Sequence, residues 1–161
     1  MTGATQLDRP WMTLVATAVK AGGCSGAFLV VFPIYRPDLV GEMARAMSYA
    51  HFDFRSERMM PLGWRAAELS LDFLEDAARN HPDAGSAPGL VLHNAEALLA
   101  TRTADERRRW LAAVCDWPTP RPILVSAAVF IDDLPPAGPR VVHIDGAAMP
   151  QQSLLMRLAR V

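Results

Sequence analysis

Apolar and polar positions along the chain follow two alternating periodicities. Ala27-Phe28-Leu29-Val30-Val31-Phe32, Leu90-Val91-Leu92 and Ile123-Leu124-Val125-Ser126-Ala127-Ala128-Val129 are near-continuous apolar runs of strand length. Such runs are expected of strands covered on both faces. Elsewhere apolar residues recur at helical spacing. One set, Trp11, Leu14, Val15, Ala18 and Val19, follows Asp8-Arg9-Pro10 and stops at Gly22-Gly23. A second, Leu39, Val40, Met43, Ala46 and Met47, follows a cap at Asp38 and reaches about Ala50. A third, with Leu69, Leu71, Phe73, Leu74, Ala77 and Ala78, predicts a helix from Trp64 to about Arg79, after a turn at Pro61-Leu62-Gly63. Thr103 caps a fourth, carrying Trp110, Leu111 and Val114, and Gln151 to Arg160 reads as a last helix with Leu154, Leu155 and Leu158.

Two shorter segments complete the set. His51-Phe52-Asp53-Phe54-Arg55 alternates with period two, so His51, Asp53 and Arg55 share one face of a short strand, and Val141 to Asp145 reads as the final strand. His81 to Gly89, Pro118 to Pro122 and Asp132 to Pro139 are loops. Helix and strand alternate throughout. The prediction is an α/β fold: a three-layer, mostly parallel sheet of about five strands with helices on both faces, in a single domain over residues 1–161. Phe28 to Phe32, Leu90 to Leu92 and Ile123 to Val125 are the expected central strands, with Leu92 and Val125 in the core.

Charge adds little steering. Sixteen basic and seventeen acidic residues leave a net charge of −1, so no global field directs the chain to nucleic acid or to an anionic membrane. Among the basic residues only Lys20 is a lysine. Arg107-Arg108-Arg109 is the one basic run; it reads as a solvated helix face, with a nucleic-acid or partner contact as the alternative. Cys24 and Cys115 are too few for a zinc site and read as small core residues. No apolar segment has the length of a membrane span and no secretory leader is evident, so a reduced, cytoplasmic protein is expected.

In parallel sheets ligands collect at the carboxyl ends of the strands. That edge would hold Pro33 to Arg36, Asp53, His93, Asn94, Glu96, Ser126 and Asp145; the candidate site residues are Asp53, His93, Asn94, Glu96 and Ser126. His143 and Asp145 share a strand face at a spacing that could ligate metal, but no third ligand is indicated and no metal is expected.

Leu92-His93-Asn94-Ala95-Glu96-Ala97-Leu98-Leu99 resembles the segment "apolar run, Asp-Asn-x-Glu-x-Leu" of the small P-loop proteins of type 3 BREX phage-defence systems. The layout from Ala27 to Val142 also resembles a small RecA- or AAA-like P-loop NTPase domain. The resemblance implies that His93 stands where the family has a Mg²⁺-holding aspartate, while Asn94 and Glu96 match. The phosphate loop has no counterpart: a working one needs G-x-x-x-x-G-K-[ST], whose backbone amides and lysine cradle phosphates. Here Phe32 to Val40 contains no glycine, no lysine and two prolines that lack amide donors. The glycine-rich stretch Lys20 to Gly26 has its lysine ahead of the glycines and leads into a strand, so it reads as a helix end.

Two damaged motifs together imply lost hydrolysis. The expectation is a degenerate P-loop domain, a pseudo-ATPase, serving as a protein-interaction or assembly subunit in a DNA-repair or phage-defence complex and requiring no ATP, Mg²⁺ or other cofactor. Protein partners are expected, copies of the chain included. Met43, Met47, Met59, Met60, Met149 and Met156 offer adaptable contact side chains, and Trp64 beside the Pro/Gly turn is a candidate for exposure. Two other readings stay open. One is a nucleotide-binding protein using Arg36 in place of the lysine; the other is an unrelated α/β enzyme using His93, Asp53 and Ser126.

Overall fold

A computed structural model of the chain describes residues 9–151. The apolar runs form five strands: β1 (Ala27–Val31), β2 (Ala50–Asp53), β3 (Leu90–His93), β4 (Ile123–Ala127) and β5 (Val141–His143). All four pairings are parallel, in the order β2-β3-β4-β1-β5. Every residue of β1, β3 and β4 is buried, which explains why these strands lack polar alternation. They are the three central strands, as expected.

The pleat sends alternate side chains to two separate apolar layers. Phe28, Val30, Val91 and Leu124 pack under α1 (Pro10–Ala21) and α2 (Pro37–Met47). Leu29, Leu90, Leu92 and Val125 pack on the opposite face under α3 (Leu71–Arg79), the single turn α4 (Glu96–Leu99) and α5 (Ala104–Val114). The chain is thus a three-layer α/β fold.

Local chemistry sets the helix ends. Thr103 accepts from the Glu106 amide at 3.2 Å and Glu106 reaches back to the Thr103 amide at 3.1 Å, a complete capping box. Asp38 is not the cap expected of it: Arg36 is the N-cap residue, Pro37 takes the first helical position and Asp38 sits in the first turn, where its carboxylate suits the helix dipole.

The third helix also differs from expectation. It spans only Leu71–Arg79, capped by Ser70, whose hydroxyl accepts from the Phe73 amide at 3.0 Å. Before it, β2 ends at Asp53, two residues short of the predicted Arg55, and the chain passes through a π-helical turn (Arg55–Met59) into a 3₁₀ segment (Met60–Glu68). Gly63, at φ 57° and ψ −129°, bends that segment in a region closed to other residues. The short 3₁₀ turn Pro82–Gly85 lies inside a predicted loop, Ile131–Asp133 begins one residue before the loop predicted from Asp132, and β5 stops at His143 rather than Asp145. The predicted helix from Gln151 to Arg160 lies outside the described residues apart from its first position. Among the described residues no helix is long and apolar enough to cross a membrane.

Candidate functional site

The candidate residues meet where β1, β2, β3 and β4 release the chain. At the end of β3, Asn94 adopts φ 61°, a left-handed conformation that asparagine tolerates and that turns the backbone off the sheet into α4. Its side chain then bridges two neighbours. The Asn94 Nδ2 donates to Asp53 Oδ1 at 3.0 Å, and the Tyr35 hydroxyl donates to Asn94 Oδ1 at 2.8 Å. Tyr35 comes from the loop after β1, so one asparagine ties three strand ends together. Sequence reading named the loop but missed Tyr35 as its closing residue.

His93 is 4% exposed and lies beside Asp53 in the parallel register, on the α2 face of the sheet. Its Nδ1 lies 3.2 Å from Nε2 of the exposed His51. The ring centres are 5.3 Å apart with planes inclined by 24°. Nitrogens this close with centres this far apart place the two imidazoles edge to edge, joined by an N–H···N bond. Tyr35 covers the pair, its ring centre 6.1 Å from that of His93. The His93 Nε2 is buried and has no partner among the described residues.

Burial pushes the His93 pKa from 6.5 down to about 4; the Asp53 carboxylate opposes the shift and His51 adds to it. The ring is therefore neutral near pH 7 and brings no charge to the end of β3. Asp53 is held below its ordinary 3.8: burial raises it, but the Asn94 amide, the Ser56 amide and the nearby His93 together outweigh burial.

These shifts predict an acid-sensitive fold. Because the folded-state pKa of His93 lies below the unfolded one, its contribution is complete above about pH 6.5 and is lost as the pH falls towards 4. The loss should amount to about 2 kcal/mol, allowing for screening by solvent on the His51 side. Asp53 adds a second loss below its ordinary 3.8. Urea unfolding of wild type and His93→Phe between about pH 4.5 and 7 checks this, since the variant should lack the first decline.

Glu96 is committed elsewhere. One carboxylate oxygen accepts from the Ala128 amide at 2.7 Å, the other from the Val129 and Phe130 amides at 2.9 and 2.8 Å. Three successive amides make a concave anion-binding nest, and Glu96 fills it as the clamp for the chain leaving β4. Glu96 thus has a structural role at this edge.

Ser126 is buried beside His93 on the same face, and its hydroxyl donates to the Leu92 carbonyl at 3.4 Å. The sheet thus gathers Asp53, His93 and Ser126, but Asp53 accepts from the Asn94 side chain and the Ser56 amide, His93 meets His51 and Ser126 donates to the Leu92 carbonyl, each turned to a partner outside the trio. The nearest cavity, about 290 Å³ along this edge, is lined by Tyr35, Asn94, Glu96 and Phe130 and by neither His93 nor Ser126. A larger one, about 450 Å³, opens at the amino ends of β3 and β4, around Gly89 and Pro122.

Arg36, the candidate phosphate ligand, is only 5% exposed. Its Nε and one Nη fork onto the Asp38 carboxylate at 3.0 and 2.9 Å, and the other Nη donates to the Pro150 carbonyl at 2.9 Å. The guanidinium in turn holds Asp38 below the usual carboxylate range, chiefly through this hydrogen bond. It staples the loop after β1 to the segment after β5, and in that state it has no fork left for a phosphate.

The arginine run is likewise largely spent. Arg107 and Arg108 both pair with Asp133, at 2.8 and 3.1 Å, and Arg107 also lies over the Phe130 ring. The Arg107 hydrogen bond, before all else, lowers the Asp133 pKa. Of the three, Arg109 alone is not ion-paired, its Nε donating to the Asp105 carbonyl. Arg108 and Arg109 do lie on an exposed helix face, as expected, and Asp133, missed in the sequence, turns Arg107 and Arg108 into a brace for the loop after β4.

Other expectations resolve one by one. His143 and Asp145 are exposed, and Asp145 caps its own turn by accepting from the Ala147 amide at 2.9 Å. Among the described residues no three His, Cys, Asp or Glu side chains are grouped to hold a metal ion. Cys24 is exposed rather than buried, and Cys115 is half-buried. Met43 is fully buried in the α2 layer, whereas Met60 and Trp64 are exposed; Met156 lies outside the described residues. The chain matches no protein-family model and no curated protein.

Proposed function

We propose that the chain is a cytoplasmic, non-hydrolysing P-loop-like domain that acts as an assembly subunit, bound to other proteins in a DNA-repair or phage-defence complex. The observation that carries this reading is the state of the carboxyl edge. Arg36 is engaged by Asp38 and Pro150, Glu96 by three backbone amides, and His93 is a neutral ring under Tyr35. Phosphoryl transfer needs free cationic and metal-holding groups at that edge. The strand order supports the RecA-like part of the reading, because β4 lies between the first strand and the motif strand β3.

Calorimetry with Mg-ATP should therefore detect no binding tighter than about 1 mM, and phosphate-release assays should detect no turnover. Micromolar binding would overturn the proposal in favour of an unorthodox phosphate loop. Affinity purification from the native host followed by mass spectrometry should recover stoichiometric protein partners, and a chain that purifies alone at native abundance would leave the assembly role unsupported.

A further inference from the structure

At the amino ends of β3 and β4, on the sheet edge opposite the candidate residues, the cavity of about 450 Å³ joins an apolar floor to a cationic rim. Leu90 and Ile123, the first residues of the two strands, are buried beneath it, and Pro82, Ala84, Pro120 and Pro122 add apolar wall. Its cations are Arg79, the last residue of α3, and Arg121, two positions before β4, and both are exposed. Among the described residues no aspartate or glutamate lines it. Ligand cavities have this composition, mostly apolar with a few polar groups that fix orientation.

Each guanidinium keeps donors to spare. Arg121 donates through Nη1 alone, to the Ala84 carbonyl at 3.4 Å and to the Ala87 carbonyl, which ties the 3₁₀ turn Pro82–Gly85 to the chain entering β4. Arg79 uses Nη1 alone, on Glu75 at 3.4 Å. The Nε and Nη2 of both arginines make no hydrogen bond or ion pair among the described residues. Those two nitrogens form the fork that grips a carboxylate or phosphate with two parallel bonds. Arg36 holds the Asp38 carboxylate with this same pair. Acids near the cavity are turned elsewhere: Glu57 accepts from the Asp53 amide and meets His81, Asp76 accepts from Asn80, and Asp83 is exposed beside His81.

We infer that this cavity binds a small organic anion, with an apolar or aromatic body seated on Leu90 and Ile123 and one carboxylate or phosphate group held by the open forks of Arg79 and Arg121. A neutral apolar molecule would cover the guanidiniums without pairing them, and a bare inorganic anion would leave the apolar floor in water. The cavity therefore selects a ligand with both parts. Two carbonyls already hold Arg121, so less side-chain freedom is lost when the ligand arrives. This site goes beyond the assembly role and does not depend on it.

Titration of the full chain with 2-naphthoate, 2-naphthyl phosphate and the uncharged 2-naphthamide, followed by calorimetry and by NMR, tests this. One of the acids should bind once per chain with a Kd of about 100 µM or tighter, and the amide at least about tenfold more weakly. The tighter acid identifies the headgroup as carboxylate or phosphate. The Nε–H signals of Arg79 and Arg121 should move on titration together with the amides of Ala84, Gly85 and Leu90. Arg79→Gln should weaken the preferred acid by about tenfold or more, while its thermal unfolding matches wild type, because Arg79 is exposed and holds only Glu75. No binding of either acid at about 1 mM, an amide that binds as tightly, unchanged affinity in Arg79→Gln, or signals that move around Trp64 and Tyr35 instead would overturn the site.

Discussion

Truncating Glu96 to alanine is expected to lower unfolding stability by about 2 to 4 kcal/mol. The carboxylate accepts three amide hydrogen bonds at 2.7 to 2.9 Å. Bonds to a charged acceptor contribute about 1.5 to 3 kcal/mol each when isolated, but Val129 is exposed and water can replace part of the loss. Glu96→Gln keeps one acceptor oxygen and turns an amide donor towards backbone donors, so it should recover less than half of the effect. Urea denaturation gives the stability, and hydrogen exchange at residues 128–130 should accelerate at least tenfold in both variants. A glutamate that merely orients water would leave stability unchanged in Glu96→Gln, and that result would contradict the clamp.

Leu92→Ala should cost about 3 to 5 kcal/mol. Leu92 is fully buried in β3, within the layer under α3, α4 and α5, and β3 is hydrogen-bonded to a strand on each side. A cavity there has little freedom to collapse, since the surrounding backbone is fixed by the sheet, which places the loss at the upper part of the range for such truncations. Chemical denaturation at constant slope checks it, and a near-neutral value would contradict the close packing of that layer.

The architecture was legible because the physics behind it is local. A strand buried on both faces is apolar at nearly every position, so the apolar runs at 27–31, 90–92 and 123–125 stand out without any knowledge of their neighbours. The Thr103–Glu106 box was half-read, with Thr103 recognised as the cap and Glu106 not. The helix capped by Ser70 was legible in principle. Ser70 followed by Asp72 carries an N-terminal signal, but the apolar spacing from Trp64 onwards was weighted above it. Likewise Pro37 marked the first turn of α2 more strongly than Asp38 did.

The sequence by itself therefore determined the alternation of helices and strands, the parallel three-layer sheet and the edge at which polar residues gather. It also determined the absence of a phosphate loop of the usual form between Phe32 and Val40, which follows from residue identity alone. Only the tertiary structure decided what each polar side chain at that edge does. Glu96 meets amides 32 to 34 positions away, Arg36 meets a carbonyl 114 positions away, and Asn94 bridges Tyr35 and Asp53 across 59 and 41 positions. Hydrophobic periodicity reports which face a residue takes, because burial is a property of one position in its own element. A hydrogen bond or ion pair is a property of two positions, and its second member is fixed only when the strand order brings their ends together.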